Sequence, residues 1–504
     1  MTQAAAGTAS RMASQSGLLM LGNMFTLLVG FPFQIYLARM LGAQQLGAFG
    51  LFEVIAQTAG TLFGFGLATA LVRFIPHHIE KGEGGSVRRL LAWVYGWTVA
   101  GGALAVVVLM AGRPLLLRWV PELAAYPSLY PFLGAMAVLG MLIGLSAQAL
   151  RAFMDIRYMI IVASFVQLAV KVAVAVVLIS LGWELAGYLC AVVISVMVAL
   201  AGMVWGIHRH LRQLAPTASE APADTRQAWW SFSRTMYANS LVSMAGPPAE
   251  RVLLAGAIDL ASVGVLMAVR QLQGLTQVLF QILVTVIGPM FVAAKARGDM
   301  EEVKRLYHIA TDWMCRLGFP LLMFLLVFAD DVLALYGTGF AQAGRWPLVV
   351  LVIGQLFNLL TGPHGAMLNL LGHEKDMFKL YLVSSGSFLL ALVVLAPLFG
   401  LLGVALASLL PIVFLNLIEL HFMNRWLGIG WWSGRYRRLA GPMIAVCAVA
   451  TLFKWTSGSL GAVALAGALA GLYLAFIATY LSARPTGEDV EVFDTIRRQL
   501  GFKR

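Results

Sequence analysis

The sequence predicts an all-α integral membrane protein of about fourteen transmembrane helices, arranged as two parallel six-helix lobes followed by two extra helices. Three observations carry this. Of 504 residues, 60% are hydrophobic and only 12% charged, with a mean hydropathy of +0.84, whereas soluble chains carry about 25% charged residues. Apolar stretches of the ~20 residues needed to cross ~30 Å of hydrocarbon recur along most of the length. A set of residues also repeats at an offset of 216 positions. A soluble enzyme, a disordered scaffold and a singly anchored receptor are thereby excluded.

Apolar runs bounded by charge, Gly or Pro fall at roughly 17–38, 47–75, 90–112, 129–150, 158–181, 184–207, 235–256, 262–292, 309–330, 346–370, 379–399, 401–424, 439–456 and 460–482. Lys and Arg set their orientation, because cytoplasmic loops are enriched in them. With the N-terminus inside, 25 of the 35 basic residues fall in inner segments, 5 in outer loops and 5 within spans. Both termini are expected on the cytoplasmic side. The net charge of +12 is spread through short loops and does not form the single basic face that nucleic-acid binding needs. Cys190, Cys315 and Cys447 sit inside apolar runs without metal-ligand spacing and read as packing residues.

The repeat orders these helices. Asn23, Gly30 and Pro32 recur as Asn239, Gly246 and Pro248; Val87-Arg88-Arg89-Leu90 recurs as Val303-Lys304-Arg305-Leu306; and Leu185-x-Gly187 recurs as Leu401-x-Gly403, each at 216, with Gly47 matching Gly264 at 217. Six helices per repeat is an even number, so both halves start on the same side and are parallel about an axis normal to the membrane. The expected divisions are an N-terminal six-helix lobe over 1–215, a polar cytoplasmic linker over 216–228, a C-terminal six-helix lobe over 229–438, two extra helices over 439–482 and an amphipathic cytoplasmic tail over 483–504.

Proline-bent first and seventh helices, a basic loop between helices 2 and 3 that returns between 8 and 9, and the 6+6+2 count resemble the multidrug/oligosaccharidyl-lipid/polysaccharide exporter superfamily. The segment from Ala38 to Gly50, in which Leu41-Gly42 precedes Gly47-Ala-Phe49, is similar to the opening signature of its polysaccharide transporter and O-antigen flippase branch. Leu254–Gly264 resembles the second copy. The resemblance implies a V-shaped transporter of the bacterial inner membrane that alternates access and flips a lipid-diphosphate-linked saccharide from the cytoplasmic to the periplasmic leaflet in lipopolysaccharide O-antigen or related synthesis. It further implies a polyprenyl diphosphate carrier and glycan assembly proteins as partners of a monomeric chain.

Charged residues within spans nominate the site, because each costs at least ~2.5–3.5 kcal/mol unless it is paired or hydrated. Glu53 and Arg270 lie six residues past Gly47 and Gly264. They are read as a gating charge pair or a substrate contact across the lobes, the alternative being a static ion pair within one lobe. Arg251, three residues past Pro248 and next to Glu250, is read as a diphosphate or sugar-carboxylate contact because guanidinium forks match such oxygens bidentately; the alternative is snorkelling. Lys171 is central to helix 5, too deep for its stem to reach the interface, and is read as a cavity-facing cation, or else a donor to Gln148 or Gln167. Arg73 is a candidate inner-gate anion contact. Asp312, Arg316, Glu419 and His421 read as snorkelling or locally paired. Asn23, Asn239, Gln34, Gln57, Gln277, Gln281 and Asn358 could bind sugar hydroxyls or glue helices together. Pro32, Pro247 and Pro248 are hinge candidates.

No Walker A loop, GxSxG, GxGxxG or HExxH occurs, so no enzyme activity and no cofactor is expected. A coupling ion, Na+ or H+, stays open. His77-His78-x-Glu80 lacks the further ligands of a metal site. Two competing functions remain: a drug/cation antiporter of the same superfamily, and a membrane polysaccharide polymerase or ligase. Outer loops of ~15 residues weigh against the latter.

Overall fold

A computed structural model describes residues 2–214, 229–234, 236–237, 240–241, 246–430 and 435–482. The expected linker, Asn239 and the expected tail lie outside the described residues. Among the described residues every regular element is helical. The chain forms two compact units, residues 1–263 and 264–504.

Unit 1 begins with α1 (Thr2–Gly64), whose only non-helical backbone is at Gly42, φ 72° and ψ 174°. The apolar part, Gly17–Gly64, has 48 residues, about 72 Å at 1.5 Å per residue and more than twice the hydrocarbon thickness. It therefore holds two crossings folded at Gly42, a residue free to take positive φ because it lacks Cβ. Pro32 lies within the helical first arm. The second crossing is interrupted, contrary to the continuous 47–75 helix expected, at Phe65 (φ 50°) and Gly66 (φ 65°). A Cβ on Gly66 would stand 2.7 Å from the Ser233 carbonyl oxygen and 2.8 Å from the Tyr237 amide. The helix breaks where Ser233 and Tyr237 lie directly on it, and resumes as α2 (Leu67–Glu80).

There follow α3 (Gly84–Ala111), α4 (Arg113–Trp119), α5 (Tyr130–Ala152), α6 (Ile156–Ile160), a π-helical stretch Ile161–Val166, α7 (Gln167–Ser180), α8 (Glu184–Gln213) and α9 (Pro247–Ala257). Helix α5 is central, packing against α1, α2, α3 and α8. Leu71, Val87, Leu145, Leu150 and Met203 close one core around it. Helix α10 (Leu260–Ala296) carries the boundary between the units in its first turn.

Unit 2 continues through α11 (Met300–Val327), α12 (Ala329–Ala334), α13 (Thr338–Thr361), α14 (His364–Leu368), a π-helical stretch Asn369–His373, α15 (Glu374–Leu427), α16 (Arg435–Ser457) and α17 (Ala462–Ser482). Helix α15 is broken at Gly400, φ 61° and ψ −136°, and is again two crossings. Helix α11 is the axis of the unit: 72% of its apolar window is buried, against 44% or less for the other spans. Helices α16 and α17 pack on it, with the Tyr473 hydroxyl donating to the Leu317 carbonyl at 2.6 Å and the Lys454 ammonium donating to Asp331. Eleven described helices are long and apolar enough to span a membrane, and α1 and α15 are each long enough to hold two such spans. The predicted seventh helix, 235–256, is described only in part.

The 216-residue repeat has a steric basis within each unit. Gly82 (φ 72°) and Gly298 (φ 73°) make the same turn 216 positions apart, and the valines that follow, Val87 and Val303, are both fully buried. Gly187 and Gly403 each sit where a helical hairpin closes. A Cβ would lie 2.9 Å from Leu178 Cβ in one and 1.9 Å from the Leu395 carbonyl oxygen in the other. The three cysteines are free thiols.

Candidate functional site

Glu53, on the second arm of α1, receives the Arg251 guanidinium at 2.8 Å, and the same Nη1 donates to the Gly50 carbonyl at 3.3 Å. Arg251 reaches it because α9 is anchored along its length. Pro247 and Pro248 are its first residues, where a missing N–H costs nothing. Farther along, Trp119 Nε1 donates to the Val252 carbonyl at 3.2 Å and the indole fills the space a side chain at Gly256 would take. Beyond α9 the Leu260 amide donates to Glu122 at 3.0 Å. Glu53 and Arg251 thus pair within unit 1. In unit 2 Arg270 donates to Gln273 at 2.8 Å and to Ser408 at 2.6 Å. Glu250, beside Arg251, is buried and has an interaction of its own.

Glu53 also acts electrostatically on Lys171 of α7 and on the buried Tyr188 of α8. Lys171 is the sixteenth residue of the span Ile156–Ser180, so about 23 Å of helix separates it from one end and about 14 Å from the other. Among the described residues it makes no hydrogen bond or ion pair, and its Nζ is not sealed from the surroundings. One carboxylate thus engages Arg251 and is felt by Lys171. An ammonium this deep without a partner is a costly group, and the arrangement suits an anion brought from outside.

A second feature lies where Gly66 breaks the helix. Phe65, Trp230, Ser231, Arg234 and Tyr237 line a cavity of about 510 Å³, and the Tyr237 hydroxyl donates to the Leu62 carbonyl at 2.9 Å. Trp230 stacks edge-on against Trp93 and Trp97, with centroids 5.6 and 5.8 Å apart. Arg73 is exposed and lies over Phe232 at 4.9 Å and Phe74 at 5.6 Å. Aromatic faces with guanidinium groups alongside can stack on the apolar face of a sugar ring and bond phosphate oxygens. The tryptophans carried the signal for this groove in the sequence, but nothing local placed Ser233 and Tyr237 against Gly66.

The remaining candidates divide. Asn23, Gln57, Gln277 and Gln281 are exposed, and Gln34 is half-buried. Asn358 belongs to a buried network in which Asn416 Nδ2 donates to it at 2.6 Å and Thr361 donates to Asn416 at 2.5 Å. Asp312 and Arg316 pair at i,i+4 as their spacing predicts. Glu419 does not snorkel: it is buried, 3.1 Å from His364, whereas His421 is exposed. His78 meets Glu83 at 2.7 Å, and that hydrogen bond holds the Glu83 carboxyl below the usual carboxylate range. No group of three or more metal-ligating residues occurs among the described residues.

A family model described as "Polysaccharide biosynthesis protein" matches residues 13–295, more than half of the chain. The chain belongs to the polysaccharide biosynthesis protein family. Among solved structures, this family member is similar to the lipid II flippase MurJ in an inward closed conformation, with TM-score 0.72, 12% identity, and coverage of 92% of this chain and 98% of that one. It is also similar to an inward-facing multidrug resistance MATE transporter of the MOP superfamily, with TM-score 0.60, 13% identity, and coverage of 80% and 94%. A Vibrio cholerae MATE transporter follows at TM-score 0.55, 18% identity, and coverage of 85% and 99%. At these identities the likeness is one of fold. No curated protein sequence matches the chain.

Proposed function

We propose that this protein is a flippase of the bacterial inner membrane, with both termini cytoplasmic, that moves a lipid-diphosphate-linked saccharide from the cytoplasmic to the outer leaflet by alternating access. One observation carries the reading: the Lys171 ammonium, deep in a span and without a hydrogen-bond partner among the described residues, feels the charge of a carboxylate that Arg251 already holds. A diphosphate supplies the missing anion. Family membership and the MurJ-like fold support the same class of substrate. An anion leaving a negative-inside compartment gains ~2.3 kcal/mol per charge per 100 mV, which drives outward movement without nucleotide hydrolysis. In this reading Arg234 in the aromatic cavity, with Arg73 over Phe232, receives phosphate and sugar first.

The test is reconstitution in vesicles carrying a fluorescent polyprenyl-diphosphate saccharide, with leaflet exposure read by a membrane-impermeant quencher. Transfer faster than in empty vesicles, increased by an inside-negative potential, is expected. The MATE-like fold leaves a second reading, a drug/cation antiporter; ion-driven dye efflux with no movement of lipid-linked saccharide would replace the first reading with it.

A further inference from the structure

We propose that the break at Phe65–Gly66 is a latched joint: Tyr237 holds it broken, and an anionic saccharide head seated in the aromatic cavity of unit 1 takes the Tyr237 hydroxyl and lets the helix close. The identity of the ligand rests on the flippase reading above; the latch does not.

Phe65 has φ 50°, a conformation that crowds the Cβ of an L residue and is an outlier for a bulky one. A residue persists there only where its surroundings hold it. The carbonyls just before it show what does. In an unbroken helix the Leu62 carbonyl accepts from the Gly66 amide and the Phe63 carbonyl from that of Leu67. At the break the Leu62 carbonyl accepts from the Tyr237 hydroxyl at 2.9 Å. The Phe63 carbonyl lies against α3, where a Cβ on Gly101 would stand 2.3 Å from its oxygen. Tyr237 also closes the other side: its amide nitrogen would be 2.8 Å from a Cβ on Gly66, and its ring packs on that of Phe65 with centroids 5.9 Å apart. One residue thus supplies both the substitute hydrogen bond and the packing that keeps Phe65 in place.

The cavity places a ligand on this latch. Phe65 and Tyr237, the strained residue and the one that holds it, both line the cavity of about 510 Å³, together with Trp230, Ser231 and Arg234. That volume falls within the ~300–1,000 Å³ of small-molecule sites. The Arg234 guanidinium makes no hydrogen bond or ion pair among the described residues, and no acidic residue lines the cavity, so the complementary ligand is an anion. Trp230, held by Trp93 and Trp97, supplies an aromatic wall for a sugar ring. An anionic oxygen is a stronger acceptor than a backbone carbonyl, so a phosphate or carboxylate held by Arg234 competes with Leu62 for the Tyr237 hydroxyl. Once released, the Leu62 carbonyl takes the Gly66 amide. The ligand then shifts the joint by its preference for the unlatched state, and discontinuous helices are where transporters couple binding to movement.

The experiment is hydrogen–deuterium exchange of the full chain in lipid nanodiscs, read at the amides of Phe65, Gly66 and Leu67, with a short-chain prenyl-diphosphate-linked N-acetylglucosamine as the probe. In wild type the probe should slow exchange at these amides several-fold. Tyr237→Phe, which keeps the ring and loses only the hydroxyl, should show the slowed exchange without the probe and no further change with it. Arg234→Gln should exchange as the free wild type does and fail to respond to the probe. Equal or faster exchange in probe-free Tyr237→Phe overturns the latch. A wild type that flips the saccharide in the quencher assay while the probe leaves its exchange unchanged overturns the coupling and leaves the flippase reading standing. A cationic dye that slows exchange where the prenyl-diphosphate saccharide does not would remove the flippase reading and leave the latch standing.

Discussion

Replacing Lys171 by Met separates a functional cation from a structural one, because the two roles predict opposite changes in stability. A lysine at a helix centre costs about 2.5–3.5 kcal/mol on insertion scales. Here Glu53 offsets part of that cost but is shared with Arg251, and no hydrogen bond among the described residues is lost with the side chain. Lys171→Met, similar in length and apolar, should raise stability by about 1–2 kcal/mol, read as the midpoint of thermal unfolding in detergent. If the ammonium meets a diphosphate, the same change removes a charge-assisted hydrogen bond of about 1.5–3 kcal/mol, roughly a 10- to 150-fold loss of apparent substrate affinity in the quencher assay. Lys171→Arg, which keeps the charge, should lie within about tenfold of wild type. A Lys171→Met protein that is less stable than wild type yet flips normally would refute the reasoning, since the ammonium would then be holding helices together.

The Glu53–Arg251 pair, with side chains 33% and 23% exposed, lies between surface and buried ion pairs; a double-mutant cycle of Glu53→Gln and Arg251→Ala should return a coupling of about 1–2 kcal/mol in unfolding free energy. Gly403→Ala places a methyl 1.9 Å from the Leu395 carbonyl oxygen, a backbone clash that should cost at least about 3 kcal/mol and lower the amount of folded protein, whereas Gly386→Ala, with open space around it, should be neutral or slightly stabilising in the same assay. Asp155, in the turn between two spans, feels burial that would raise its pKa, but hydrogen bonds from the Arg157 side chain and amide outweigh it and hold the carboxyl below the usual range. Its folded pKa being depressed, that stability is present above the unfolded value near 3.9 and disappears as pH falls through the folded one. Asp155→Asn should therefore cost about 1 kcal/mol at neutral pH as a weakened helix cap, with the difference from wild type shrinking only below about pH 4.

Membrane embedding, the helical class and the positions of most crossings were legible in the sequence, because each depends on composition within a window no longer than one span. The 216-residue repeat was legible for a related reason: Gly82 and Gly298, and Gly187 and Gly403, fill positions where backbone geometry admits no side chain, and such positions leave the same letter in both copies. The break at Phe65–Gly66 was not legible. It depends on where Ser233 and Tyr237 come to rest, more than 160 residues later.

The candidate site shows the same division. Sequence alone singled out Glu53, Arg251 and Lys171 through the cost of charge in hydrocarbon, a property each residue carries wherever it sits. The choice of partner was decided by tertiary structure. Adjacent residues on a helix point ~100° apart, so which basic residue within its own unit Glu53 meets depends on helix rotation and depth. These are fixed by contacts such as Trp119 against Gly256, to which hydropathy is blind. Glu419 makes the point from the other side: its position near a span end suggested a route to the surface, and only the packing of α14 against α15 turned it inward onto His364.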